Sequence, residues 1–198
     1  MIDRDTIEYY DQFAADFANR TMDINLPQRD RFVSLLSSEA VLLDLGCGPG
    51  RDLKYFSLLG HSVYGLDPSW QFAIMARTYS SCPVVMGHAL QMPFIDRTFA
   101  GIWACASLLH VSKHALPSAL REVHRLLRPG GLLFLSMKEG NGEVRRKSRL
   151  FALYQLDELT VTLQDVDFHI LEVRLDPPLE GQDENWINVF ARTNESPT

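Results

Sequence analysis

The chain has 198 residues, of which 46% are hydrophobic and 22% charged, values that exclude a disordered chain or a fibrous repeat and suit one domain with a sizeable core. Its 19 basic residues are outnumbered by 25 acidic ones, and the resulting net charge of −6 argues against electrostatic binding of nucleic acid. Apolar runs such as 132–135 are far shorter than the roughly 20 residues that span a bilayer, so no membrane partner is expected. Three cysteines without Cys-x-x-Cys spacing indicate reduced thiols in a cytoplasmic protein, with no disulfide framework and no metal site.

Two helices are predicted before the first strand. Residues 6–18 carry apolar side chains at helical spacing, and Asp5 or Thr6 is the expected amino-terminal cap. Residues 27–36 form the second helix, with Pro27 at its first position, where proline is well tolerated.

Strand and helix patterns then alternate with short connections. Such alternation predicts a parallel sheet that is covered by helices on both faces. The last two strands have no helix between them, so we expect them to pair antiparallel at one edge. The predicted strands cover residues 41–45, 62–66, 84–86, 99–107, 132–137, 168–175 and 185–192, and the predicted helices cover 51–59, 69–79, 116–127 and 155–163.

A glycine-rich turn after the first strand gives the first indication of a ligand site. Gly46, Gly48 and Gly50 stand beyond the carboxyl end of a strand, where parallel sheets bind ligands, and they remove side chains that would keep a ligand from the backbone. Asp67 ends the second strand about twenty residues later, where an acidic residue reaches ribose hydroxyls in nucleotide-binding folds. A plain tight turn and a helix-capping aspartate are the less favoured alternative, because both features occur together.

The spacing in this turn differs from that of the common phosphate-binding loops. Arg51 occupies the position of the third glycine in the dinucleotide-binding pattern, and the Gly-Lys-Ser/Thr of a P-loop is absent. Asp44, just before the turn, would repel a pyrophosphate but suits a cationic or amino-bearing ligand. The turn therefore indicates a phosphate-poor nucleoside that carries an amino group.

Several segments, in this order, resemble the class I S-adenosylmethionine-dependent methyltransferases, in particular small bacterial-type enzymes of the type 11 group. They are residues 41–50, Asp67, Met92-Pro93-Phe94 and residues 126–131, and the resemblance covers roughly residues 9–192. It implies an α/β fold, a Rossmann-like three-layer sandwich with a seven-stranded, mostly parallel sheet in the order 3-2-1-4-5-7-6 and an antiparallel strand 7. It also implies S-adenosyl-L-methionine as cofactor and S-adenosyl-L-homocysteine as product.

The resemblance further implies which residues hold the cofactor. The glycine turn passes beneath the methionine part, and Asp44 lies near its ammonium group. Asp67 accepts from both ribose hydroxyls, and Pro68 packs near the adenine. His88 stands where the family usually has an acid, so its ring would accept from the adenine amino group or else point to solvent. The implied cofactor-binding residues are Asp44, Gly46, Cys47, Gly48, Pro49, Gly50, Asp67, Pro68, His88, Ala89 and Leu90.

His110, just past the fourth strand, is the candidate general base, because an imidazole accepts a proton near neutral pH. As a base it would give the pH–rate profile a limb near the ordinary histidine pKa of about 6.5. The alternative is a structural histidine or a wall of the cofactor pocket, since methyl transfer can rely on positioning and desolvation. Tyr9 and Tyr10 are candidates for a lid, whereas Phe13 and Phe17 are better explained by packing on the sheet.

The acceptor side is less sharply defined. Trp103, Arg145 and Trp186 are the remaining candidate substrate residues. A basic cluster follows the fifth strand and would bind a carboxylate or belong to a solvated loop, which Gly140-Asn141-Gly142 marks as mobile. The cluster consists of Lys138, Arg145, Arg146, Lys147 and Arg149.

The sequence therefore predicts a cytoplasmic S-adenosylmethionine-dependent methyltransferase that acts on a small molecule as a monomer or homodimer. Two alternatives stay open: the same cofactor used for cyclisation or aminocarboxypropyl transfer, and a non-catalytic cofactor-binding protein. Residues 1–198 are expected to form one domain. Within it, residues 1–38 form amino-terminal lid helices, 39–138 the cofactor-binding core and 139–198 the substrate-side half.

Overall fold

The structure, a computed structural model, describes residues 3–179, 181 and 183–195. Within these residues, strands and helices alternate as the sequence predicts, and most boundaries agree to within two residues. The strands are β1 (Val41–Leu45), β2 (Ser62–Asp67), β3 (Val84–Met86), β4 (Phe99–Cys105), β5 (Leu127–Glu139), β6 (Glu143–Arg146), β7 (Arg149–Tyr154), β8 (Phe168–Asp176) and β9 (Trp186–Thr193), and the helices are α1 (Arg4–Gln12), α2 (Ala14–Thr21), α3 (Gln28–Ser34), α4 (Arg51–Leu58), α5 (Trp70–Ser80), α6 (Leu116–Leu126) and α7 (Leu156–Gln164).

Seven of these strands form the predicted sheet in the order β3-β2-β1-β4-β5-β9-β8. The strands from β1 to β5 pair in parallel, and β9 runs antiparallel to both β5 and β8. Since β8 and β9 are the sixth and seventh strands of the predicted scheme, these seven strands follow the relative order 3-2-1-4-5-7-6 with an antiparallel last strand. The predicted count of seven is wrong, because β6 and β7 extend the sheet to nine strands among the described residues. The fold is an α/β, Rossmann-like sandwich.

The sheet buries apolar side chains on both faces, because neighbouring strand residues point to opposite sides. Ile102 of β4 belongs to the core cluster that packs against α6 and α7. Trp103, the next residue, belongs to the opposite cluster and is fully buried, with its ring stacked 3.9 Å from that of Phe134. Its Nε1 donates to Asp52 at 2.9 Å. Trp103 is therefore a core residue, and the prediction that it contacts the acceptor is wrong.

A second hairpin, β6–β7, stands where the sequence predicts a mobile loop. β5 is longer than predicted and continues past the end of β4, where Cys105 pairs with Ser136. Beyond that point, Lys138 pairs with Leu153 of β7 on one edge and with Trp186 of β9 on the other. β7 therefore occupies the edge of β5 that β4 leaves open, so the loop prediction is wrong.

The residues in the turn of this hairpin explain why the sequence does not predict a hairpin. Lys147 and Ser148 connect the paired residues Arg146 and Arg149, with φ angles of +48° and +69°. Two consecutive positive φ angles are those of a type I′ turn, which usually carries Asn-Gly. The chain has Lys-Ser instead, which is no sequence signal for a hairpin.

The amino-terminal segment forms two helices, and the prediction of one helix over residues 6–18 is wrong. Asp3 caps α1 by accepting from the backbone N–H of Thr6 at 3.1 Å, so neither Asp5 nor Thr6 is the cap. Phe13, at φ −111° and ψ 24°, separates α1 from α2. This break changes the direction of the chain after the first three turns.

Side chains of α1 and α2 contact helix α5 and strand β7. Asp11 accepts from Ser69 Oγ at 2.6 Å, and Thr6 Oγ accepts from the backbone N–H of Leu150 at 2.9 Å. The ring of Phe17 lies 5.4 Å from that of Phe72 in α5, instead of packing on the sheet as predicted. The two helices thus bridge α5 and the hairpin above the carboxyl ends of the strands.

The turn geometry yields a stability prediction. Replacing Lys147-Ser148 by Asn-Gly should raise the free energy of unfolding by about 1 kcal/mol, because these residues adopt positive φ without strain. The single change Lys147→Gln keeps the strained turn and should shift stability by less than about 0.5 kcal/mol. Urea unfolding measures both variants, and a loss of stability in the Asn-Gly variant would contradict the type I′ assignment.

Candidate functional site

A cavity of about 1150 Å³ opens at the carboxyl ends of the strands, between the glycine turn, the amino-terminal helices and the β6–β7 hairpin. Single ligand pockets commonly measure roughly 300–1,000 Å³, so this cavity has room for two ligands at once. Every residue that we implied for cofactor binding lines it, with the exception of Gly50. Tyr10, His110 and Trp186, the candidates for a lid, a general base and an acceptor contact, also line it.

The three glycines of the turn have different tasks. All have positive φ, at +74°, +52° and +96° for Gly46, Gly48 and Gly50. A Cβ on Gly50 would lie 2.7 Å from the Cα of Ala76, so this glycine allows close helix packing and does not face the cavity. A Cβ on Gly48 would meet nothing within 4 Å, because it would project into the open cavity. Gly48 therefore provides room for a ligand.

Asp67 ties the turn to the end of β2. One carboxylate oxygen accepts from the backbone N–H of Gly48 at 2.8 Å, and the other accepts from that of Ser69 at 2.9 Å. Burial raises the pKa of Asp67 to about 6. Since a carboxylate oxygen accepts more than one hydrogen bond, each oxygen retains capacity for a ligand hydroxyl.

Asp44 offers a buried acceptor that lacks a donor. It is buried, and its Oδ2 has no hydrogen-bond partner among the described residues. Burial raises the pKa of Asp44 well above its usual value, and the neighbouring Asp52 raises it further. A buried polar atom without a partner is costly unless a ligand satisfies it. The position therefore suits an ammonium or amino group, as the sequence indicates.

The charge of Asp52 is compensated, in contrast to that of Asp44. Its carboxylate accepts from Arg51 Nε at 2.8 Å and lies 3.3 Å from Arg29 Nη1. It also accepts from the indole of Trp103 at 2.9 Å. Asp52 therefore organises the residues behind the turn, whereas Asp44 offers the cavity an oxygen without a partner among the described residues.

His88 presents a donor to the cavity. Its Nδ1 accepts from the backbone N–H of Leu90 at 3.3 Å, so the neutral ring carries its hydrogen on Nε2. We predicted that this ring would accept from an adenine amino group or point to solvent. The acceptor nitrogen is already used, and the ring lines the cavity.

His110 holds the Tyr10 hydroxyl through a short chain of hydrogen bonds. His110 Nδ1 lies 2.6 Å from the carbonyl oxygen of Leu150, which can only accept, so Nδ1 carries the hydrogen. Nε2 then accepts from the Tyr10 hydroxyl at 2.7 Å, and Arg149 Nη1 donates to the same hydroxyl at 3.3 Å. Burial lowers the pKa of His110 to about 4. A direct role as base would require the Tyr10 hydroxyl to move or to pass on its own proton.

Two further predictions for the acceptor side are corrected or refined. Arg145 is half-exposed, does not line the cavity and forms ion pairs with Asp3 at 2.5 Å and Asp5 at 3.4 Å. Its assignment to the substrate is therefore wrong, because this side chain fastens the hairpin to α1. Tyr9 packs against the guanidinium of Arg149, whose carbon lies 4.5 Å from the ring centroid.

Sequence reasoning missed Phe151 as a cavity residue. It lies two positions after Arg149 on β7, so both side chains share one face of the strand and both line the cavity. The apolar run from Leu150 to Tyr154 is a strand signal that could have revealed it. The run was not predicted as a strand because no turn signal precedes it in the sequence.

The described residues contain neither a metal-binding cluster nor a membrane-spanning helix. No group of three or more His, Cys, Asp or Glu side chains in this part of the chain could hold a metal ion. None of the helices in these residues is long and apolar enough to cross a membrane.

Comparison with known proteins gives a consistent picture. Residues 43–135 match the methyltransferase domain family. An uncharacterized protein of Methanocaldococcus jannaschii is 31% identical over 133 residues, which are 66% of this chain and 50% of that protein. A malonyl-[acyl-carrier protein] O-methyltransferase of Erwinia pyrifoliae is 34% identical over 102 residues, 50% of this chain and 38% of that enzyme. The chain spans between 38% and 64% of the length of these and one further curated relative.

A solved structure extends the likeness to nearly the whole chain. It is the 1,6-didemethyltoxoflavin-N1-methyltransferase of Burkholderia thailandensis, with bound 1,6-didemethyltoxoflavin and S-adenosylhomocysteine. The TM-score is 0.73 at 25% sequence identity, and the match covers 96% of this chain and 91% of that one. That enzyme thus holds two ligands in the fold that this chain shares.

The hydrogen bonds of His110 predict an unusual titration. The ring should stay neutral until the pH falls to about 4, so a pH–rate limb near 6.5 from this residue is no longer expected. Tyr10→Phe removes the hydroxyl that donates to Nε2 and stabilises the neutral ring, so the pKa of His110 should rise in that variant. Two-dimensional NMR of the imidazole nitrogens measures both values. An unchanged pKa near 6.5 in the wild type would contradict the buried arrangement.

Proposed function

We propose that this chain methylates a small-molecule acceptor. The premises are that residues 43–135 match the methyltransferase domain family and that S-adenosylmethionine is the cofactor. The observation that carries the proposal is the buried, unpartnered carboxylate oxygen of Asp44 at one side of a cavity with room for two ligands. An acid there favours a ligand with a positive charge. This ligand fits the class of cofactor that the family uses.

The residues of the turn suit each part of that cofactor. Asp44 would accept from the ammonium of the methionine part, and the open space at Gly48 would receive its chain. Asp67 would accept from the ribose hydroxyls while it keeps its own bonds to the turn. The apolar side chains of Pro68 and Leu90, which line the cavity, would pack on the adenine.

The other half of the cavity would hold the acceptor. When bound, the cofactor supplies an electrophilic methyl group on a sulfonium. The rings of Tyr10, Phe151 and Trp186 line the cavity and would exclude water and position the acceptor. Because both nitrogens of His110 are engaged, we propose that the chain works by positioning and desolvation instead of a strong direct base.

The proposal also covers the domain organisation, the cellular location and the type of reaction. Residues 1–198 would act as one domain, with residues 1–38 closing over the ligands. A cytoplasmic location agrees with three cysteines that are all free thiols. Methylation is favoured over cyclisation, aminocarboxypropyl transfer or simple cofactor binding because the matched domain family and the 25% identical structure are those of methyltransferases.

The identity of the co-product tests this function. With S-adenosylmethionine and a panel of small nucleophiles, the protein should release S-adenosylhomocysteine in step with a methylated acceptor. Release of methylthioadenosine would instead support cyclisation or aminocarboxypropyl transfer. Intact cofactor across the whole panel would support a non-catalytic binding protein. Gly48→Leu should abolish both binding and turnover, because its side chain fills the open space beneath the ligand.

Gly60 supplies a matched control for this variant. It also has positive φ, at +90°, and a Cβ there would meet nothing within 4 Å, but it does not line the cavity. Gly60→Leu should therefore cost similar stability through backbone strain and leave S-adenosylhomocysteine affinity unchanged. Equal losses of affinity in the two variants, measured by calorimetry, would show that strain and not the cavity is responsible.

The raised pKa of Asp67 predicts pH-dependent binding. Ribose hydroxyls donate to the ionised carboxylate, so binding must release the proton that Asp67 holds below about pH 6. Protonation of Asp67 should lower the affinity for S-adenosylhomocysteine by about tenfold between pH 7 and pH 5. Asp67→Asn should bind more weakly and lose the limb near pH 6, whereas Asp44→Asn should keep it. A limb that persists in Asp67→Asn would contradict the assignment.

A further inference from the structure

The basic side chains at the end of β5 and on the β6–β7 hairpin differ in whether they form an ion pair with an acid among the described residues. Lys138 Nζ lies 3.0 Å from Glu184 Oε2, and Arg146 forms an ion pair with the other oxygen of the same carboxylate. Arg145 does not line the cavity and forms ion pairs with Asp3 and Asp5. Each of these three cations therefore has an acidic partner in the protein itself, although Lys138 and Arg146 share one carboxylate.

Arg149 differs from them. It lines the cavity, yet it forms no ion pair with any acidic residue that the structure describes. Its Nη1 donates to the Tyr10 hydroxyl at 3.3 Å, and its Nε is buried without any acceptor. A guanidinium with an unsatisfied buried donor costs free energy that a ligand oxygen would recover.

Aromatic rings hold this guanidinium in place. Its central carbon lies 4.5 Å from the ring centroid of Tyr9, 5.5 Å from that of Tyr10 and 5.0 Å from that of Phe151. Cation–π contacts of this kind compensate part of the burial cost and leave the N–H groups in the guanidinium plane for an anion. A planar fork of donors binds a carboxylate through two parallel hydrogen bonds.

The position of Arg149 assigns it to the acceptor half. The residues proposed for the cofactor follow β1, β2 and β3, whereas Arg149 begins β7, on the other side of β4. His110, directly after β4, lies between the two halves and shares the Tyr10 hydroxyl with Arg149.

We propose that Arg149 binds a carboxylate of the acceptor, so that the substrates of this chain are small carboxylic acids methylated at a second, nucleophilic group or at the carboxylate itself. This inference rests on the proposed function. Arg149 acts as a specificity-determining residue, since an acceptor without the anion leaves a partly buried guanidinium unpaired. The same charge disfavours cationic acceptors such as amines without an acid group.

Binding of matched acids and amides tests the proposal. The protein is saturated with S-adenosylhomocysteine and titrated with acetate, benzoate, phenylacetate and indole-3-acetate and with the primary amide of each. Tryptophan fluorescence reports binding, because Trp186 lines the cavity. At least one acid should bind about tenfold or more tightly than its amide, as expected for a charge-assisted pair.

Variants assign the preference to a residue. Arg149→Gln should bind that acid and its amide equally, and Arg149→Lys should retain a reduced preference because it keeps charge without the planar fork. Lys147→Gln, two positions earlier in the turn of the same hairpin and outside the cavity, should behave as the wild type. Thermal unfolding with S-adenosylhomocysteine verifies that each variant is folded, and Arg149→Lys decides the question if Arg149→Gln is not.

Four results would overturn the proposal. They are the absence of any acid preference in the wild type, its survival in Arg149→Gln, an equal loss in Lys147→Gln, and a loss of S-adenosylhomocysteine affinity in Arg149→Gln as large as the loss of acid binding. The last result would assign Arg149 to the carboxylate of the cofactor. Failure of the wild type to bind S-adenosylhomocysteine at all would refute the proposed function first, and this inference with it.

Discussion

The acceptor half of the site depends on one feature of the sheet: β5 continues beyond the end of β4. This overhang exposes an edge of backbone donors and acceptors, which Lys138 and Glu139 satisfy by pairing with β7. The hairpin placed there carries Arg149 and Phe151 into the cavity and offers a backbone N–H to Thr6 of α1. Without the overhang, neither the roof of the cavity nor its unpaired cation would be in place.

Charge is distributed unevenly over the two halves of the cavity. Behind the glycine turn, Asp52 is paired with arginines, and Asp44 faces the cavity with an oxygen that has no partner among the described residues. Across β4, Arg149 faces the same space without an acid of its own in that part of the chain. Because unpaired buried charges are costly, the two ends favour ligands of opposite charge. An ammonium-bearing cofactor and a carboxylic acid would satisfy both.

Local sequence signals predicted the parallel sheet and the glycine turn, because each depends on residues that are close in sequence. The strand order followed from the resemblance. Gly46 to Gly50 and Asp67 needed only the rule that ligands bind at the carboxyl ends of parallel strands. The hairpin escaped because Lys147 and Ser148 adopt positive φ without the usual residues. Pairing over long distances could not be read either: Trp103 is buried against Phe134 and Asp52, and Arg145 is fastened to Asp3, contacts that only the folded chain creates.

A crystal structure with S-adenosylhomocysteine and a bound carboxylic acid tests the central claim most directly, namely that one cavity holds two ligands of opposite charge at its two ends. The account predicts the ligand ammonium within hydrogen-bond distance of Asp44 Oδ2, the ribose hydroxyls on Asp67, and the carboxylate of the acid on Arg149. A cofactor whose ammonium lies away from Asp44, or an acid bound elsewhere while Arg149 stays unpaired, would contradict it.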